Sequence, residues 1–373
     1  MVRMVPSAVC PAPPRPSEDD DDDFFFDQGA GQVFSTSFHP DMSMVAAAFG
    51  DGTVRVYDPL RTEPGPEEGA PALAPRLHTV DPMTGGLPTM ALRFRPEKAK
   101  SRNVLVSAGV NGCCQHWHLA SGKCLHAITE DATHPLSRQK YTNQIFALEC
   151  KCSRSLCAAS CEASEQRLHT DSRDGTHFAT AGKDKIVRIY EEATKSQVAT
   201  LSQNIMGTSI GHSNCIFSVK FHPLEEHTVL SAGWDNTVCV WDLRADTSAG
   251  AVRSIYGPHV CGDALDIEPE GGQEVLTGSW RPDDQLQVWD FGSGRLIDTI
   301  EWPEPDEKSR HRCQVYAAKY SPDGRRIAAG GSGQNELRVF DAKTGRCEGV
   351  AAAMDSALCK IVILSRFACC PSR

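Results

Sequence analysis

The stretch that decides the fold is residues 229–244, which read VLSAGWDNTVCVWDLR. An apolar pair runs into the small residues Ser231, Ala232 and Gly233. A polar turn follows, and a second short strand closes with Trp241 and Asp242. Asp-Asn turns supply the positive-φ positions that a tight hairpin needs. The stretch therefore predicts two antiparallel strands joined by a tight turn.

The same pattern returns six times along the chain. Each copy has a first strand with an aromatic residue, a second strand ending in small residues, a tight turn and a third strand that closes on an aromatic residue. The closing aromatics are Tyr57, Trp117, Tyr190, Trp241, Trp289 and Phe340. The second strands are small because neighbouring sheets converge near a central channel. One such sheet cannot bury both faces alone, so the copies must stack around an axis. The sequence predicts an all-β propeller of four-stranded antiparallel blades.

The Trp241-Asp242 ending and the Gly211-His212 pair before the fourth copy resemble the WD40 repeat family. The resemblance covers roughly residues 31–350 and implies six recognisable repeats plus an incomplete seventh that begins at residues 357–362. It also implies a hydrogen-bonded tetrad in the fourth repeat. Its members would be His212, Ser231, Asp235 and Trp241.

The predicted organisation has three parts. Residues 1–29 form a disordered, acidic, Pro-rich tail, because they hold few core residues and carry half of the net charge of −10. The propeller spans residues 30–365 and contains a polar insertion loop at about 150–173. A short tail, 366–373, follows. Whether the ring closes with six blades, or with seven of which the last is incomplete, stays open at this point, as does whether the chain is truncated.

The charge and the motifs limit the classes of function. An acidic chain argues against nucleic acid as a partner, because phosphate neutralisation needs a basic surplus. No phosphate-binding Gly-Lys-Ser loop is present and no Gly-x-Ser-x-Gly stretch is expected at a strand-to-helix elbow, so we expect no enzyme, no cofactor and no small-molecule ligand. The longest late apolar run, residues 361–364, is far too short for a membrane span.

The sixteen cysteines do not recur at a fixed place in the repeats, and no secretory signal is evident. We therefore predict an intracellular, reducing compartment: the cytoplasm or the nucleus. Cys150, Cys152, Cys157 and Cys161 lack the paired spacing of zinc ligands, so no metal site is expected there. Cys114 and His116 replace apolar residues between blades and are interpreted as core residues.

The function that the resemblance implies is a non-enzymatic scaffold that binds proteins or peptides on its rims, within a multi-protein complex. Trp234, Trp280 and Arg281 are the candidate anchors, since aromatic residues and arginine dominate interface energetics. The alternative is a substrate receptor of a cullin–RING ubiquitin ligase. Residues 229–244 resemble the box that docks such receptors onto the ligase adaptor, and there Asp242 and Arg244 would make the contact.

Overall fold

The structure is a computed structural model that describes residues 33–40, 43–64, 71–79, 86–96, 103–133, 139–151, 175–204, 208–246, 249–303, 313–333, 335–351 and 361, with the backbone alone for 59–64 and 71–79. Within these residues the chain forms six four-stranded antiparallel sheets and one two-stranded hairpin. The predicted all-β propeller is confirmed. Residues 1–29, most of the insertion loop and residues 366–373 lie outside the described part of the chain.

The strands of each sheet pair in chain order. The first three sheets comprise β1 (Val33–Phe38), β2 (Val45–Phe49), β3 (Val54–Pro64) and β4 (Pro71–Thr79); β5 (Thr89–Phe94), β6 (Val104–Gly109), β7 (Cys113–His118) and β8 (Lys123–Thr129); and, after the hairpin β9 (Asp131–Thr133) and β10 (Lys140–Thr142), β11 (Ile145–Cys150), β12 (His177–Gly182), β13 (Val187–Glu191) and β14 (Gln197–Leu201). The last three comprise β15 (Ile216–Phe221), β16 (Thr228–Gly233), β17 (Thr237–Asp242) and β18 (Arg253–Tyr256); β19 (Leu265–Ile267), β20 (Glu274–Gly278), β21 (Leu286–Asp290) and β22 (Leu296–Thr299); and β23 (Gln314–Tyr320), β24 (Arg326–Ser332), β25 (Leu337–Asp341) and β26 (Cys347–Ala351).

Neighbouring sheets stack through their faces. The first strand of a sheet packs against the first strand of the preceding sheet, and in four of the five junctions also against its second strand. Shared apolar clusters join sheets one and two, two and three, three and four, and four to six. Each junction buries the alternate side chains that a single sheet would expose, and this burial is the main stabilising term of the ring.

Sheets six and one are joined differently. Among the described residues no apolar cluster spans these two sheets. Ile361 instead packs on the sixth sheet against Ala317, Ala328 and Leu337. It also lines the central cavity beside Phe38 of the first sheet. The other residues of the predicted seventh repeat lie outside the described part of the chain.

The glycines that end some of the second strands are required for a steric reason, in addition to the convergence of the blades. A Cβ placed on Gly233 would lie 2.0 Å from the carbonyl oxygen of Cys215, within the same sheet. At the equivalent Gly182, an added Cβ would lie 1.8 Å from the carbonyl oxygen of Gln144. In both sheets the first strand has a register shift at this end, which brings its carbonyl inward. Glycine is therefore required by the backbone of the neighbouring strand.

Candidate functional site

The fourth sheet contains the hydrogen-bonded set that the resemblance implied. Nδ1 of His212 donates to Oδ2 of Asp235 (2.8 Å), and its Nε2 lies 2.7 Å from Oγ of Ser231. Nε1 of Trp241 donates to the same Ser231 oxygen at 2.7 Å. Burial would lower the pKa of His212, but Cys239 and the Asp235 carboxylate raise it to about 10. The set fixes the loop before β15 to the turn and to β17.

The third sheet replaces the missing histidine with a buried glutamate, which sequence reasoning missed. Glu130 is 3% exposed and accepts hydrogen bonds from Thr180, Tyr190 (2.9 Å) and Asn143 (3.0 Å). Arg188 pairs with the same carboxylate at 3.2 Å. The available signal was an acidic residue directly after β8, in a repeat that lacks Gly-His. The tetrad position is thus filled by different chemistry, in which one carboxylate accepts from three side-chain donors and pairs with Arg188.

The resemblance also implies a looser tetrad in the fifth repeat, from His259, Thr277, one of Asp283 or Asp284, and Trp289, and the structure forms only part of it. Trp289 Nε1 donates to Thr277 Oγ1 at 2.9 Å, as in the fourth sheet. His259, however, faces away from this pair and contacts Asn236 of the fourth sheet through Nδ1 at 2.7 Å. The long loop from 279 to 285, between β20 and β21, is what displaces the usual tight turn. His259 is consequently released for the surface of the ring.

One end of the central channel carries an aromatic surface, which we call the mouth cluster: Trp234, Asn236, His259, Trp280 and Arg281. The turns after β16 and β20 and the loop before β19 bring these residues together. The rings of Trp234 and His259 stack with centroids 6.3 Å apart and planes 11° apart. His259 and Trp280 lie 6.4 Å apart. Two of the predicted anchors, Trp234 and Trp280, therefore flank one imidazole.

The protonation of His259 follows from its neighbours. Oδ1 of Asn236 accepts a hydrogen bond from Nη2 of Arg281 at 2.7 Å, and a guanidinium can only donate. The Nδ1 atom of His259 contacts that same oxygen, so it must carry a hydrogen. Burial, and then Arg281, lower the pKa of His259. The imidazole is neutral at pH 7, and its Nε2 is an acceptor between two indoles.

The channel below the mouth cluster has an apolar wall with unmatched polar atoms above it. Phe146 and Phe217 stack at 4.9 Å with planes 4° apart, and Phe217 lies 5.0 Å from Trp234. Some buried polar atoms at this end of the sheets have no hydrogen-bond partner within the described residues, among them Trp280 Nε1, Gln144 Oε1 and Asn111 Nδ2. Unmatched buried polar atoms are costly, and in native proteins they mark places where another group completes the bonding.

A ring of charged side chains crosses the lower half of the channel, towards the ends of the first strands. Arg93 Nη2 lies 3.0 Å from Glu149 and 3.3 Å from Asp263. Lys220 approaches Glu149 at 2.8 Å, and Lys319 approaches Asp263 at 3.0 Å. Burial alone would raise the pKa of Glu149, but Arg93 and Lys220 lower it to about 2. The ring joins sheets two to six through charge.

Asp242 and Arg244, the candidate adaptor contacts, lie at the opposite end of the fourth sheet, just after β17. Arg244 is 68% exposed, and its guanidinium contacts both carboxylate oxygens of Asp242, at 2.7 and 3.0 Å. The guanidinium of Arg244 thus forms a bidentate ion pair within the chain. The structure does not bring this pair together with Trp234, Trp280 or Arg281.

The remaining candidates are the cysteine and histidine residues that were considered as metal ligands or core residues. Cys114 and His116 are buried in the second sheet, where Nε2 of His116 lies 3.1 Å from Glu192 and its Nδ1 has no partner among the described residues. Cys150 is buried at the end of β11, whereas Cys152, Cys157 and Cys161 lie outside the described residues. Within those limits, no group of metal-ligating side chains is found and no helix is long and apolar enough to cross a membrane.

Comparison with known proteins agrees with this architecture. Residues 25–58, 203–242 and 307–341 match the family model described as WD domain, G-beta repeat. The chain is 30% identical over 171 residues to Pre-mRNA-processing factor 19 of Mus musculus, a match that covers 46% of this chain and 29% of that protein. It is 33% identical over 95 residues to the small ribosomal subunit protein RACK1 of Drosophila melanogaster, covering 24% of this chain and 29% of that protein.

A third relative, Coronin-7 of Homo sapiens, is 25% identical over 183 residues, which cover 48% of this chain and 16% of that protein. The chain thus aligns with less than a third of each of these relatives' lengths. With six four-stranded sheets, a complete tetrad in the fourth and matches to the repeat model in three places, the chain is a propeller that carries WD40 repeats.

Proposed function

We propose that this chain is a non-enzymatic scaffold and that its mouth cluster is the surface that holds a peptide segment of a partner protein. The observation that carries the proposal is the stack of Trp234, His259 and Trp280 around a neutral imidazole. Aromatic side chains supply large contact areas at low entropic cost, and arginine adds directional donors. The rigid sheets hold these groups in place before binding, which reduces the cost of association.

The polar atoms of the site favour an uncharged, extended peptide. His259 Nε2 is an acceptor, and the Arg281 guanidinium beside it has five N–H donors, of which one on Nη2 binds Asn236. A peptide backbone presents complementary N–H and C=O groups, and its apolar side chains would cover the indoles. Because His259 loses its acceptor when it is protonated, the same site would bind more weakly in acid. We place this function in the cytoplasm or nucleus, within a multi-protein complex, by analogy with relatives named as a processing factor and a ribosomal subunit protein.

The experiment is a selection from a displayed random-peptide library against the purified full chain. Peptides enriched by the wild type are then measured for affinity against Trp280→Ala and Arg281→Glu. The matched control is Leu296→Ala, which alters an exposed apolar residue on the outer strand of the same sheet. We expect the mouth variants to lose at least about tenfold in affinity, as for central interface residues, and the control to bind as the wild type does. Equal binding by all three variants, or no enriched peptide, would contradict the proposal.

The alternative function, a substrate receptor of a cullin–RING ubiquitin ligase, rests on Asp242 and Arg244, which form an exposed ion pair at the opposite end of the fourth sheet.

A further inference from the structure

The lower half of the channel contains a cavity of about 260 Å³ that is open to solvent and that the proposed function does not use. Residues from all six sheets and Ile361 form its wall. They are Thr36, Ser37, Phe38, Arg93, Glu149, Lys220, Asp263, Lys319, Tyr320 and Ile361. At roughly 30 Å³ per water, the space would hold about eight waters, or a small ion with part of its hydration shell.

The cations of this wall have donors to spare. An ammonium group has three N–H donors. Among the described residues, Lys319 Nζ contacts only Asp263 (3.0 Å), while Lys220 Nζ contacts Glu149 (2.8 Å) and Asp263 (3.4 Å). Arg93 has four of its five N–H donors engaged: Nε and Nη2 with Glu149, Nη2 also with Asp263, and Nη1 with the carbonyl of Leu92. Within the described residues, most of the uncommitted donors are therefore those of Lys319 and Lys220.

Among the described residues, the wall carries three cations and two carboxylates. A third carboxylate, Asp266, lies nearby: its Oδ2 accepts a hydrogen bond from the backbone N–H of Tyr320, and its charge acts on Lys220 and Lys319. Within the same described residues, the opposite side of the cavity, from Thr36 to Phe38 and at Ile361, contributes no charge. Burial lowers the pKa of Lys319; Asp263 opposes this, and the cations Lys220 and Arg93 add to it. An additional negative charge beside Lys319 would stabilise its ammonium form.

The hydroxyl groups of the uncharged side complete the set of donors. Ser37 Oγ accepts from the backbone N–H of Phe94 at 3.4 Å, so its own hydrogen can point elsewhere. Thr36 lies beside it on the same wall. The charged side chains keep 11% to 17% of their surface exposed, so solutes reach them through the cavity.

We propose that this cavity is an oxyanion site, in which Lys319 and Lys220 hold the negative oxygens of a phosphate or carboxylate group and the hydroxyls of Thr36 and Ser37 bind its remaining oxygens. Charge-assisted hydrogen bonds of this kind are the strong ones, and a partly dehydrated cavity strengthens them. The oxyanion is either a free inorganic ion or the carboxylate of a partner segment that enters the channel. The oxyanion site shares no residue with the mouth cluster. The outcome of its test is therefore independent of whether the mouth cluster binds a peptide.

The test titrates the full chain with inorganic phosphate, and separately with acetate, at constant ionic strength, and follows binding by calorimetry and by thermal shift. We expect saturable binding of phosphate by the wild type. Lys319→Gln should weaken it at least about tenfold, since a charged hydrogen-bonding partner is lost. Lys319→Arg should retain it within about threefold. Lys343→Gln, which changes an exposed lysine on the turn after β25, is the control and should bind as the wild type does.

The most discriminating variant is Asp263→Asn, because it removes a carboxylate that competes with the oxyanion for the ammonium group of Lys319. If Asp263 acts only as a structural partner, this variant binds phosphate no better. If the cavity is an oxyanion site, it binds phosphate several-fold more tightly. Circular dichroism checks that each variant is folded at the assay temperature. Saturable binding of acetate as well would assign the site to carboxylates of a partner, and binding of phosphate alone would assign it to a free ion. A response that does not saturate, or that is equal in Lys319→Gln, overturns the proposal.

Discussion

The guanidinium of Arg93 and the carboxylate of Asp263 meet across the central channel, with Nη2 and Oδ2 3.3 Å apart. Arg93 lies on the second sheet, and Asp263 precedes the first strand of the fifth, so the contact spans the ring. Asp263 also holds Lys319 of the sixth sheet and Lys220 of the fourth. Four of the six sheets are thus tied to one carboxylate.

Asp263→Asn should therefore destabilise the whole ring. Removing one partner of a buried ion network leaves uncompensated charges, which costs about 3 kcal/mol. Urea denaturation measures the change in the free energy of unfolding. Arg244→Ala is the control, because it breaks a pair that is 68% exposed on the arginine side, where solvent screens the charges, and it should lower the free energy of unfolding much less than Asp263→Asn does. Equal effects of the two variants would show that the channel ring contributes nothing beyond a surface pair.

The pH dependence of the free energy of unfolding should show the contribution of the Glu149 carboxylate. Its pKa falls from 4.5 to about 2 in the folded chain, so its contribution to stability is fully present above pH 4.5 and is lost as the pH falls towards 2. The difference in unfolding free energy between wild type and Glu149→Gln should shrink steadily from pH 5 to pH 3. Urea denaturation at several pH values in this window measures it. A difference that is independent of pH would contradict the assignment.

Ser231→Ala tests the tetrad. Its Oγ atom serves both His212 and Trp241, and the residue is fully buried. Without this oxygen two buried polar groups lose a partner, and we expect a loss of about 2–4 kcal/mol in the free energy of unfolding. Ser293→Ala, which removes an exposed turn hydroxyl bonded to Asp290, should cost less than about 1 kcal/mol. If the tetrad did not contribute to stability, Ser231→Ala and Ser293→Ala would lower the free energy of unfolding equally.

Gly233→Ala should be destabilising although it adds one methyl group. The new Cβ would lie 2.0 Å from the carbonyl oxygen of Cys215, so the backbone must shift, and overpacking of this kind costs about 1–3 kcal/mol. Gly349→Ala is the matched control on an outer strand, where a Cβ would meet nothing within 4 Å. It should be neutral or slightly stabilising, because alanine restricts the unfolded chain. Thermal denaturation of the two variants compares them directly.

The sequence by itself determined the repeat and hence the fold. Alternation, small second strands and closing aromatics are local properties of each strand, and residues 229–244 contain all three. The partners of the fourth-sheet tetrad also followed, because His212, Ser231, Asp235 and Trp241 lie within one repeat. Only the tertiary structure decided the rest. Glu130 replaces a histidine from the end of another sheet, and His259 turns to Asn236 instead of to its own repeat. The channel ring joins Arg93 to Asp263 over 170 residues of chain. Contacts between repeats depend on how the sheets are arranged around the axis, and no local pattern encodes that arrangement.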